Sequence, residues 1–121
     1  MKRTSYLLPM VIPVVFLSLL GSCMAGAVPL SIPMEAEDED TGDYGDWAWA
    51  WLYAEYAPGP KEYHNIKHDW DWSVWGPYYY DVWELYSNDP EYPLTRTLVY
   101  YSTDGIHYYL DADAYVQFFP W

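Results

Sequence analysis

Tryptophans alternating with small residues and carboxylates carry most of the chemistry this sequence offers. Trp47, Trp49 and Trp51 recur at every second position, and Trp70 and Trp72 alternate with Asp69 and Asp71, with Trp75 just beyond. A flat indole ring stacks on the C–H face of a sugar, and a neighbouring Asp or Asn bonds the hydroxyls. Trp47, Trp49, Trp70 and Trp72 are therefore the candidate ligand-binding residues, with a glycan as the ligand. The competing reading is a tryptophan-rich core with an apolar patch for a second copy or a membrane neighbour. A core of this size cannot hide all of these rings, so some must reach the surface.

Other constellations are weaker. His64 and His68 in His64-Asn65-Ile66-Lys67-His68-Asp69 would share a face only on a helix, where Asp69 or His107 would complete a metal site. The segment reads instead as a turn before a strand, so solvated loop histidines are expected and no metal ligand is assigned. Asp69 with Asp71, and Asp111 with Asp113, share strand faces in the manner of paired glycosidase carboxylates. Alternating Asp on an outward face is more simply explained by solvation. Ser73, Ser87 and Ser102 lack a G-x-S-x-G context, and no glycine loop suits a phosphate. The expectation is a protein that is not an enzyme, with no catalytic residue, no metal and no cofactor.

The periodicity of the chain around these residues is mostly two. Trp47, Trp49, Trp51 and Tyr53 fall on one face of a strand, and Ala48, Ala50, Leu52 and Ala54 on the other. Tyr56-Ala57-Pro58-Gly59-Pro60-Lys61 is a turn. Asp69 to Val74 alternates again, placing Trp70, Trp72 and Val74 inward. Gly76-Pro77 breaks the chain before a strand over Tyr78–Tyr86, and Ser87-Asn88-Asp89-Pro90 with Pro93 forms the next loop. Asp104-Gly105 between alternating runs predicts a two-residue hairpin turn. In that register Tyr101 faces Tyr108, Val99 faces Leu110, and Thr97 faces Ala112. Tyr100, Leu98 and Arg96 face Tyr109, Asp111 and Asp113, the last an opposite-charge pair. A final strand is expected over Ala114–Phe119. The fold class is all-β: a small, aromatic-rich antiparallel sandwich or open barrel of five to six strands.

The charge is strongly acidic, with 18 Asp and Glu and a net charge of −13. Beyond the first few residues the basic side chains are Lys61, Lys67 and Arg96. Nucleic acid is excluded as a partner, because phosphate binding needs a basic surface. An anionic membrane surface would likewise repel the chain. Residues 23–43 read as an acidic, Pro-containing linker: Val28-Pro29-Leu30-Ser31-Ile32-Pro33, then a crowd of carboxylates from Glu35 onward that repel one another. Asp38 to Asp46 superficially resembles a calcium loop but lacks its D-x-[DN]-x-[DN]-G register. Residues 44–121 form the single β domain. They hold every aromatic residue except Tyr6 and Phe16, which suits a small domain short of core volume.

The first residues have the order of an export signal: basic Lys2 and Arg3, an apolar run from Leu7 to Leu20, then small residues. The run is shorter than the ~20 residues of a membrane-spanning helix. Leu19-Leu20-Gly21-Ser22-Cys23 resembles the lipobox of bacterial lipoproteins. That resemblance covers residues 1–23 and implies a signal peptide over 1–22, a lipid on Cys23, and a membrane anchor in the cell envelope, at the periplasm or cell surface. Ala25-Gly26-Ala27 offers a rival cleavage site that would release a secreted protein starting at Val28. Cys23 is the chain's one cysteine, so no intramolecular disulfide can form. Tyr53-x-x-Tyr56-x-x-Gly59-x-Lys61 and the aromatic end at Trp121 are loosely similar to the lactococcin-type secreted β-sandwich bacteriocins. The function expected is binding or structural, with an envelope protein or a glycan as partner. A carbohydrate-binding module and a freely secreted, bacteriocin-like factor are the alternatives.

Overall fold

Alternation of small and large residues decides which way the central strand faces. In β2 (Asp46–Ala57), Ala48, Ala50, Leu52, Ala54 and Tyr56 are fully buried, while Trp47, Trp49, Trp51 and Tyr53 lie half-buried on the opposite side. The small side chains point inward because a second sheet lies close over them. Thr97 Oγ1 on that sheet reaches the Trp49 carbonyl at 2.8 Å. The computed structural model describes residues 30–121. In it β2 is flanked by β1 (Ile32–Thr41) and β3 (Glu62–Val74). A second three-stranded sheet has the order β4 (Tyr79–Ser87), β5 (Leu94–Ser102) and β6 (Tyr109–Gln117). All pairings are antiparallel. The expected all-β sandwich, at six strands, is the fold.

The core runs between β2 and the inward residues Val99, Ala112, Ala114 and Val116. It thickens at one end, where Tyr56, Tyr63 and Phe118 are buried together. The C-terminal residues close that end: Tyr56 donates its hydroxyl to the Trp121 carbonyl at 2.8 Å and accepts the Trp121 N–H at 2.6 Å. At the other end Tyr44 stacks on Tyr101, centroids 3.9 Å apart. Gly45 there has φ +79, and a side chain on it would strike the backbone of Gly76.

Side chains, not strand ladders, close the two seams of the sandwich. Along the β1–β6 seam Asp38 accepts the Tyr115 N–H and Asp40 the Asp113 N–H, both at 2.9 Å. Along the β3–β4 seam His68 meets Thr95 Oγ1 at 2.7 Å and the Asn88 side-chain oxygen at 2.6 Å. Trp70 donates its indole N–H to the Leu85 carbonyl at 3.1 Å.

Three sequence expectations change. Residues 32–41 are not linker but strand β1. The carboxylates that should repel one another find donors instead: Asp38 and Asp40 cap amides of β6. The signal peptide, Cys23 and the start of the linker lie outside the described residues. Second, the turn around Asp104-Gly105 is longer than two residues. Ser102 Oγ takes the N–H groups of Asp104 and Gly105, and Asp104 takes those of Ile106 and His107. Tyr101 therefore pairs with Tyr109, and after a bulge at Val99/Tyr100 the partner of Val99 is Ala112 and that of Thr97 is Ala114. Arg96 still meets Asp113, on the diagonal, because Tyr115 stands directly opposite it. Third, the histidine segment is strand, and a bulge between Tyr53 and Glu55 sets His68 opposite Leu52 and His64 opposite Glu55. The two rings are on opposite faces and cannot share an ion.

Candidate functional site

The outer face of the first sheet, away from the core, carries three parallel rows. The middle row, on β2, is Trp47, Trp49, Trp51 and Tyr53. The β1 row is Glu35, Glu37 and Glu39, opposite Tyr53, Trp51 and Trp49 respectively. The β3 row is Lys67, Asp69 and Asp71, opposite the same Tyr53, Trp51 and Trp49. Each ring thus has an acidic neighbour on one or both sides.

The glutamates fix the indoles. Trp47 donates its indole N–H to Glu39 at 3.0 Å, Trp49 to Glu37 at 2.6 Å and Trp51 to Glu35 at 3.3 Å. Each bond runs diagonally to the glutamate one pair along, so the rings share a common lean. Trp51 and Tyr53 lie nearly parallel, centroids 6.3 Å apart and planes 18° apart. Tyr53 donates its hydroxyl to Glu55 at 2.9 Å, and Lys67 Nζ sits 5.4 Å from the centre of the Tyr53 ring. Asp69 and Asp71 do a second job on β3: they accept the N–H groups of Trp70 and Trp72 at 2.9 and 2.8 Å. These edge amides are thereby withheld from another strand.

The outer face of the second sheet assembles the same materials around a cation of its own. Arg96 donates Nε–H to one Asp113 oxygen at 2.9 Å and a terminal N–H to the other at 2.8 Å. Its guanidinium carbon lies 4.8 Å from the centre of the Tyr115 ring. The Asp113 hydrogen bond raises the Arg96 pKa further, against the pull of burial.

A third acidic feature is interior. Asp46 is fully buried beside Asp111, which accepts the N–H groups of Asp43 and Tyr44 at 3.2 and 2.9 Å. Burial first, and then the neighbouring Asp111 carboxyl group, push Asp46 up to about 8. Asp46 therefore holds a proton at neutral pH. Gly42 is obligatory here, because a side chain on it would collide with both carboxyl groups. Among the described residues no group of three or more His, Cys, Asp or Glu is arranged to hold a metal ion.

The four candidate tryptophans do not form one surface. Trp47 and Trp49 stand side by side on the outer face. Trp70 and Trp72 lie opposite Ala50 and Ala48, on the inner side of the same sheet. Trp70 belongs to the seam, packed against His68 and Tyr86; Trp72, at 40% exposure, reaches solvent beside it. Trp51, Tyr53 and the three glutamates complete the outer row and were not among the sequence candidates. The two-residue period of Glu35, Glu37 and Glu39 was the signal available for them. The fold and this face together define a six-stranded antiparallel β-sandwich with an aromatic row set between acidic rows on one open side. Comparison with protein-family models, with curated proteins and with solved structures finds no match.

Proposed function

We propose that this is an exported binding protein of the cell envelope, tethered by a lipid on Cys23 and without catalytic activity, which receives its partner on the outer face of the first sheet. The tether is supported by the basic, apolar and small-residue order of the leader and by Cys23 at its end. The observation that carries the binding reading is the row Trp47, Trp49 and Trp51, held on the open side by Glu39, Glu37 and Glu35. Rings fixed in this way lose little freedom when a ligand arrives. Intact mass of the membrane-fraction protein, with Cys23→Ala alongside, tests the tether. A species starting at Cys23 with a diacylglyceryl group, absent from the variant, supports it. A soluble species starting at Val28 in both overturns it in favour of a freely secreted factor.

A carbohydrate partner is the second reading, favoured by Trp47 and Trp49 standing together on the open side with carboxylates beside them. Trp70 and Trp72 would not take part, being on the other side of the sheet. A shift in tryptophan emission on adding neutral oligosaccharides, lost in Trp49→Leu, is the result this reading requires.

A further inference from the structure

We propose that the partner of this face is an extended basic peptide segment with Arg or Lys at alternate positions, lying along β2 so that its cations fall on the tryptophan row between Glu and Asp. The proposal rests on the binding reading above and names its partner.

Spacing is the first argument. Same-face residues of a strand recur every ~6.6–6.8 Å, so an extended peptide repeats its side chains at the interval of Trp47, Trp49 and Trp51. The cations of such a segment stay in step with the rings along the whole row. Charge is the second argument. Glu35, Glu37, Glu39, Glu55, Asp69 and Asp71 share this face with one cation, Lys67. Lys61 lies in the β2–β3 turn, and Arg96 is bound to Asp113 on the other sheet. The described residues therefore supply no further cation for the face.

The fold itself shows the recognition chemistry twice. Lys67 stands over Tyr53 at the end of the row, and Arg96 joins Asp113 and Tyr115 into an aromatic–guanidinium–carboxylate unit. Trp51 between Glu37 and Asp69 repeats that arrangement of ring and carboxylates. A cation placed there gains the ring face and carboxylates together.

Rival occupants fit less well. A neutral glycan would cover these carboxylates without countercharge, which costs free energy, and the indole N–H donors it would use are already bonded to glutamates. A second copy would bring an equally acidic face. A strand added at the β3 edge meets amides that Asp69 and Asp71 already occupy.

The test is a titration of the purified protein, followed by calorimetry and tryptophan emission. The probes are a short peptide alternating Arg with Thr, the same residues with the arginines in one block, and neutral cello- and chito-oligosaccharides. The alternating peptide should bind about tenfold more tightly than the block peptide, and weaken as salt is raised. Trp49→Leu, and separately Glu37→Gln with Asp71→Asn, should each cost about tenfold or more. Thermal melts confirm that both variants are folded, and the second keeps every ring. Equal binding of the two peptides, or binding untouched by both variants, overturns the proposal. Oligosaccharide binding lost in Trp49→Leu, with no peptide binding, overturns it while leaving the face as a binding site. No response to any probe overturns both readings.

Discussion

On the outer face of the second sheet Arg96 clasps Asp113 with two hydrogen bonds and lies over Tyr115. On the outer face of the first, Glu37 holds the Trp49 indole and Asp71 stands across from the same ring, with Lys67 as the face's sole cation among the described residues. Both faces combine aromatic rings with carboxylates, but the second completes its set within the chain. Its Arg96 and Asp113 pair with each other and Asp113 is 9% exposed, as suits a structural role, while Asp81 on the same face accepts the Trp83 indole N–H. The first keeps its acids toward water and spends its indole donors on orienting rings. A face finished internally serves stability; a face left with surplus charge of one sign is available to a partner.

The largest effect should come from breaking the completed set. Arg96→Ala leaves Asp113 buried without its cation, and should destabilise the fold by about 2–3 kcal/mol, read from the urea midpoint. Trp49→Leu, on the face proposed for binding, should cost about 1 kcal/mol or less, since its ring is only half-buried. Equal losses would erase the contrast between the faces.

The interior acid supplies a third environment and sharpens the same comparison, because Asp46 is fully buried beside a second carboxyl group. Its pKa is raised to about 8 in the folded chain against 3.8 ordinarily. The native state therefore binds the extra proton between those values, and stability falls as pH rises from about 4 to about 8, then levels. Asp46→Asn keeps the shape without the titration. It should flatten this part of the pH profile, so that the variant gains stability on the native chain steadily as pH rises from about 4 to about 8. A profile unchanged by the substitution would place the titrating group elsewhere.

Asp38 belongs to neither outer face and tests whether the seam acids are structural. Asp38→Ala removes the acceptor of the Tyr115 N–H and should cost about 1–2 kcal/mol. Amide exchange should speed at Tyr115, while exchange at the β4–β5 pairs stays unchanged.

These expectations follow from contacts of which the sequence displayed only part. Alternation in β2 and in the Asp69–Val74 part of β3 was legible because period-two patterning is local. It separated Trp47, Trp49 and Trp51 from Ala48, Ala50 and Leu52 but could not say which set faced inward. That depends on how closely the second sheet approaches, and Thr97 reaching the Trp49 carbonyl is a long-range contact. Strand β1 was hidden by its charge. Glu35, Glu37 and Glu39 read as self-repulsion because their donors, the indoles, come from β2, and those of Asp38 and Asp40 from β6. The β5–β6 register slipped because Ser102 and Asp104 stabilise a longer loop and a bulge follows at Val99/Tyr100. Val99, expected opposite Leu110, meets Ala112, and Thr97, expected opposite Ala112, meets Ala114; both stay on the core face, since two successive one-residue shifts restore it.

The smallest effect is the most discriminating one for the first face. Glu35, Glu37 and Glu39 repeat at about 6.6–6.8 Å along β1, and like charges at that distance repel by about 0.6 kcal/mol in water before screening. If the row existed for stability, neutralising its middle member should weaken the fold. If it is held for a cationic partner, Glu37→Gln, which still offers an oxygen to the Trp49 indole, should be neutral or stabilising by a few tenths of a kcal/mol at low salt. That gain should vanish near 0.15 M salt, where screening acts over about 8 Å. Paired urea titrations at low and physiological salt measure it directly. A clear loss of stability at both salts would mean that the glutamate row is structural, and would remove the distinction between the two faces.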